Sequence, residues 1–81
     1  MKTVSLYTLS TCPWCHKAKK FFADRKIPFS YVDYDLADAA TQEKILRELD
    51  AAGATGFPFC KIGDQVISGY QPAAYASALG L

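Results

Sequence analysis

No stretch of this chain approaches the roughly 18 consecutive apolar residues of a membrane span. The opening Met1–Tyr7 segment also lacks the apolar core of a secretory signal. Charge of one sign is missing too. Nine basic residues stand against eight acidic ones, and the net +1 gives no footing for nucleic acid or a membrane surface. Cysteine is scarce, with three residues at irregular spacing, whereas a secreted miniprotein stapled by disulfides carries an even set. Repeats, linkers and low-complexity segments are absent. The compartment these gaps point to is a reducing cytoplasm, where a close cysteine pair is redox-active or metal-binding rather than structural.

What the chain does hold is core material. Its 81 residues are 51% hydrophobic and 14% aromatic, enough for one small domain over residues 1–81 and too few for a second. Val4, Leu6 and Tyr7 read as a short buried strand. Pro13 suits the first turn of a helix, and Cys15, Ala18, Phe22 and Arg25 then share one face, with Phe21 beside them. Lys17, Lys19, Lys20 and Lys26 point elsewhere and read as a solvated face, with attraction of acidic substrates as a lesser role. Ile27-Pro28 stops this helix, and Phe29–Tyr34 is a second strand, parallel to the first across a right-handed crossover.

Asp35–Asp38 offers N-capping side chains to a helix over 39–52, whose apolar face is Ile45, Leu46 and Leu49. Glu43–Arg47 and Lys44–Glu48 are spaced as i,i+4 ion pairs, and Gly53 is a natural end cap. Gly56–Ile62 is a strand entered through Pro58, and Gly63-Asp64 turns it into Gln65–Ser68. Pro72 opens a last helix that runs to Leu79. The order β-α-β-α-β-β-α predicts an α/β fold.

Cys12-Pro13-Trp14-Cys15 lies where the first strand gives way to the first helix. A thiol at a helix N-terminus faces unpaired N–H groups and the positive end of the helix dipole, which favour the nucleophilic thiolate. Cys15 follows one turn later, within reach of a mixed disulfide on Cys12. The pair reads as a thiol–disulfide exchange site with Cys12 as nucleophile and Cys15 as resolving thiol. Trp14 is exposed by its position and offers a contact wall, and Tyr70 shares that reading. Cys60 shares a strand face with Pro58 and reads as a buried thiol, with a second exchange thiol as the lesser reading.

Two other chemistries share these residues. Cys-x-x-Cys-His16 is also a c-type haem attachment pattern, but Met1 is the only further methionine or histidine available as an axial ligand. A zinc site from Cys12, Cys15, His16 and Cys60 lacks a second paired knuckle. His16 is left as an exposed residue that tunes the thiols when charged.

Tyr7-Thr8, Cys12-Pro13-Trp14-Cys15, a proline entering the third strand and the Gly63-Asp64 hairpin together resemble the glutaredoxin family. The likeness runs from the first strand to the last helix. It implies a thioredoxin-like fold, a four-stranded mixed sheet with three helices, while chain length and charge favour a monomer. It implies reduction of protein or glutathione mixed disulfides, with glutathione as co-substrate and no tightly bound cofactor. Site residues carried over are a cis Phe57-Pro58 bond beside the thiols, the Phe57 backbone pairing with a bound thiol peptide, Tyr7 at the glutathione site, and Gly69 with its neighbours at the γ-glutamyl end. Pro13 restrains the helix entry and helps to set the redox balance.

Leu9 stands where many members carry lysine, and Ser68-Gly69-Tyr70-Gln71 is more similar to glutaredoxin-like hydrogen donors of ribonucleotide reductase, which thioredoxin reductase reduces. A third possibility by resemblance is an iron–sulfur cluster held between protomers, which Pro13 disfavours.

Overall fold

Pro13, Pro28, Pro58 and Pro72 each mark an end of an element, because proline has no N–H to give to a helix interior or a sheet ladder. The computed structural model describes residues 2–81. Its elements are β1 (Val4–Thr8), α1 (Pro13–Asp24), β2 (Ser30–Asp33), a 3-10 turn (Tyr34–Leu36), α2 (Ala39–Ala51), β3 (Phe59–Ile62), β4 (Gln65–Ser68) and α3 (Pro72–Leu79). The sheet runs β2-β1-β3-β4. β1 pairs with β2 in parallel, whereas β3 is antiparallel to both β1 and β4. The element order is the one the sequence predicts, and the four-stranded mixed sheet is the thioredoxin-like one that the resemblance implies.

Alternation along β1 and β3 divides the core between the two faces of the sheet. Leu6 opposite Cys60, and Ile62 beyond, pack against Ala18, Phe21 and Phe22 of α1 and Tyr75 and Ala78 of α3. Tyr7 opposite Phe59 packs against Ile45 and Leu49 of α2, with the two rings stacked at 5.9 Å. Each fully buried aliphatic or aromatic side chain here contributes ~1.5–3 kcal/mol. No helix among the described residues is long and apolar enough to cross a membrane.

Several expectations are corrected at the level of individual residues. The second strand is shorter than Phe29–Tyr34, because Tyr34 already begins the 3-10 turn that lifts the chain toward α2. The third strand starts at Phe59 rather than Gly56, since Pro58 cannot donate to the ladder. Leu46 does not join the α2 core: it is 50% exposed, and Ile45 and Leu49 alone are buried there. Glu43–Arg47 forms, but Glu48 turns to Lys61, 2.7 Å away, instead of pairing with Lys44. Lys19 is not solvated like its neighbours: its ammonium lies 3.0 Å from Asp33 Oδ1, and its side chain is 19% exposed.

Candidate active site

The loop from β1 to α1 is pinned before it reaches the first thiol. Ser10 N–H donates to Asp35 Oδ1 at 2.9 Å, and its hydroxyl donates to the same carboxylate. Those two bonds hold the Asp35 carboxyl below the ordinary carboxylate range. His16, exposed in the first turn of α1, places Nε2 2.8 Å from the Ser10 carbonyl. The Cys12 N–H donates to Leu9 O at 3.3 Å and completes the turn. Cys12 is therefore delivered in extended conformation as the N-cap of α1, with Pro13 at the first helical position.

The two thiols meet the protein very differently. Cys12 is partly exposed, and its Sγ accepts from the Cys15 N–H at 3.4 Å, one of the helix donors that has no partner within α1. Cys15 is fully buried, and its Sγ accepts from the Leu9 N–H at 3.4 Å. Burial pushes the Cys15 thiol up to about 12, although the Leu9 N–H and the Lys19 charge act in the opposite direction. A partly exposed cysteine thus sits one turn from a buried one stored as the thiol.

The second wall comes from the same end of the sheet, where Tyr7 pairs with Phe59 and Phe59 with Ser68, so that the entry to β3 and the exit of β4 lie beside the exit of β1. The Phe57-Pro58 bond is cis, as the resemblance implies, and Pro58 is buried at the entry to β3. Gly69 N–H donates to Pro58 O at 2.8 Å, and the Tyr75 hydroxyl donates to Gly69 O at 2.6 Å. Gly69 has φ 84°, a left-handed conformation that a residue with a side chain adopts at a cost. Trp14, 55% exposed, tilts toward Tyr70 with ring centroids 5.9 Å apart. Trp14, Phe57, Pro58, Gly69 and Tyr70 line a cleft of about 310 Å³.

The structure therefore brings together five of the residues the sequence singles out and sets them beside the cysteine pair. Tyr7 is not among them. It is 6% exposed on the α2 face, donates its hydroxyl to Glu48, and accepts from Lys61 Nζ at 3.2 Å. Cys60 is buried among Leu6, Ile62 and Tyr75, where burial pushes its thiol up to about 12. Among the described residues, no group of three or more His, Cys, Asp or Glu side chains could hold a metal. Sequence reasoning missed Tyr75, Asp35 and the Leu9 amide, which position the site without touching the cleft. Only Asp35 left a signal, as a capping residue after β2.

Comparison with known proteins places this geometry. A family model described as Glutaredoxin matches residues 4–67. Glutaredoxin 3 of Escherichia coli K12 is 33% identical over 69 residues, 85% of this chain and 78% of that one. The crystal structure of the glutaredoxin from Methanosarcina mazei superposes with a TM-score of 0.87 at 32% identity, covering 98% of this chain and 79% of that one. The glutaredoxin-like protein NrdH-redoxin from Escherichia coli shares the fold, with a TM-score of 0.78 at 24% identity over 93% and 92% of the two chains.

Proposed function

Because the chain belongs to the glutaredoxin family, a family of thiol–disulfide oxidoreductases, we propose that Cys12 and Cys15 reduce protein or glutathione mixed disulfides as nucleophile and resolving thiol. The observation that carries this reading is the unequal pair itself: a partly exposed Cys12 whose Sγ accepts from a helix N-terminus and a wholly buried Cys15 one turn on.

The Cys12 thiolate attacks one sulfur of the substrate disulfide. The S–S bond breaks, one substrate thiolate leaves with the electron pair, and a mixed disulfide joins Cys12 to the other half. Cys15 then attacks Cys12 Sγ and expels the second substrate thiolate. The Cys12–Cys15 disulfide closes, and the protein has lost two electrons to two substrate thiols. Cys15 sheds its proton to the departing thiolate in that step, so its buried thiol form protects it from outside disulfides until a mixed disulfide is in place. Pro13 restrains the helix entry, while Phe57 offers its backbone to the bound peptide and Trp14, Pro58, Gly69 and Tyr70 flank it. Thiols of this kind stay reduced in the cytoplasm, which is where the reaction is placed.

Glutathione is the proposed co-substrate that reopens the Cys12–Cys15 disulfide. A specific observation favours a second donor. Leu9, three residues before Cys12, is uncharged, and none of the five residues lining the cleft carries a charge to grip the carboxylates of glutathione. That composition suits reduction by thioredoxin reductase and a role as hydrogen donor to ribonucleotide reductase. Oxidised protein offered NADPH with either glutathione and glutathione reductase, or thioredoxin reductase, separates the two by the rate of NADPH loss. Cys12→Ser is expected to abolish turnover with both, and turnover that survives it would overturn the assignment.

A further inference from the structure

The acidic and basic side chains of this nearly neutral protein are segregated. Six of its eight carboxylates fall in residues 33–50, on the strand end, turn and helix toward the α2 face. Residues 17–26 carry Lys17, Lys19, Lys20, Arg25 and Lys26 against the single Asp24. The α1 face, which begins at the cysteines, is thus the basic one.

A second cavity lies on that face, about 420 Å³ in volume and lined by Lys17, Lys20, Phe21, Asp24, Arg25 and Tyr70, with Pro72 at its edge. Tyr70 also lines the cleft beside the cysteines, so the two spaces meet at its ring. Lys20 is paired with Asp24 at 3.0 Å. Among the described residues Lys17 and Arg25 have no carboxylate partner: Lys17 Nζ lies 4.3 Å from the centre of the Trp14 ring, and the Arg25 guanidinium covers Phe21 at 3.8 Å. The cavity combines an apolar floor with two uncompensated cations.

We infer that this cavity seats acidic side chains of the disulfide-bearing protein segment that the cysteines reduce. The inference rests on the exchange reaction proposed above and specifies its substrate class. The spacing follows from helix geometry. From Cys12 to Lys17–Phe21 the α1 axis advances ~7–14 Å at ~1.5 Å per residue. An extended peptide covers that distance in about two to four residues at ~3.3 Å each. The preferred substrate therefore carries Asp or Glu about two to four positions from its reacting cysteine, with an apolar side chain against Trp14 and Tyr70.

The test uses the full chain, prereduced, and disulfide-linked dimers of three synthetic peptides that share a central cysteine. Their residues two to four positions away on both sides are acidic, neutral or basic. The acidic dimer should be reduced about tenfold faster than the neutral one at low ionic strength, with the preference collapsing toward unity in ~1 M salt. Lys17→Gln/Arg25→Gln should erase the preference and leave the neutral rate unchanged. Arg25 also donates to the Phe21 carbonyl, so Lys17→Gln alone, which should lower the preference, keeps the test open if the double variant unfolds. Equal rates for acidic and neutral dimers, or a preference that persists without these cations, would overturn the inference and leave the exchange reaction standing. Failure to reduce any of the three would overturn the exchange reaction as well.

Discussion

The Leu9 amide donates to the Cys15 sulfur at 3.4 Å, so the residue that would carry a family lysine reaches the site through its backbone. That bond favours a Cys15 thiolate, but burial outweighs it and pushes the thiol up to about 12. Cys60 is pushed up to about 12 by burial alone. At neutral pH, iodoacetamide is expected to label Cys12 of the native reduced protein, with Cys15 and Cys60 labelled only after unfolding in guanidinium. Peptide mapping by mass spectrometry reads the order directly. Labelling of Cys15 as fast as Cys12 would show that the two sulfurs are not divided as the structure has them.

One turn along α1 from Cys15, Lys19 joins a partly buried polar chain. Thr8, fully buried in β1, donates its hydroxyl to Asp33 Oδ1 at 2.5 Å, and Lys19 reaches the same oxygen at 3.0 Å. Burial pushes the Asp33 carboxyl up, but the bonds from Thr8 and Lys19 and the Lys19 charge together hold it below the ordinary carboxylate range. Asp33→Asn is expected to cost about 1–2 kcal/mol at neutral pH. A depressed carboxylate contributes stability that is present above its unfolded pKa, ~3.9, and is lost as pH falls through the folded value. The gap between wild type and Asp33→Asn should therefore close below about pH 4. Urea titrations at neutral pH and through the acid range check it, and a gap that stays constant would refute the linkage.

Most of the framework was legible because its signals are local. Proline at four boundaries, the short apolar run of β1 and a cysteine pair at a strand-to-helix junction each depend on neighbours along the chain. What stayed hidden depends on pairing across the sheet. Lys17, Lys19 and Lys20 look alike in sequence, and only the parallel register that puts Thr8 beside Asp33 selects Lys19 for burial. Glu48 could have paired with Lys44 one turn away, but Lys61 on β3 offers a partner already partly shielded from water. The cleft was legible as a set of residues, and the bonds from Tyr75 and Asp35 that hold its walls were not, because nothing local marks a tyrosine in a core helix as a brace.

Tyr7 makes the same point from the other direction. Its ring stacks on Phe59, and its hydroxyl sits between Glu48 and Lys61, on the face away from α1. Burial and the Glu48 hydrogen bond raise its pKa, with Lys61 opposing them. Tyr7→Phe keeps the stack and removes the hydroxyl. Expected are a stability loss of about 1 kcal/mol and no change in the KM for glutathione or in turnover. A raised KM for glutathione with unchanged stability would return Tyr7 to the binding site.

The three helices end on one pattern of hydrogen bonds, with one residue out of character. After α2, Gly53 N–H reaches Asp50 O at 3.0 Å and Ala54 N–H reaches Leu49 O at 2.8 Å; after α3, Gly80 and Leu81 do the same to Ser77 and Ala76 at 3.1 and 2.9 Å. After α1, Lys26 and Ile27 repeat it on Ala23 and Phe22, at 3.0 and 2.9 Å. The turning residue is left-handed each time, with φ 71° at Gly53, 77° at Gly80 and 56° at Lys26. A side chain in that conformation costs ~1–2 kcal/mol, and the greater freedom of unfolded glycine takes back ~0.5–1. Lys26→Gly should therefore stabilise the protein by about 0.5–1 kcal/mol, a rise of roughly 2–8 °C in Tm for a domain of this size. Lys26→Ala, which keeps a side chain in the same conformation, should show no such gain. If glycine and alanine shift Tm alike, the strain at position 26 is not what limits this end of α1.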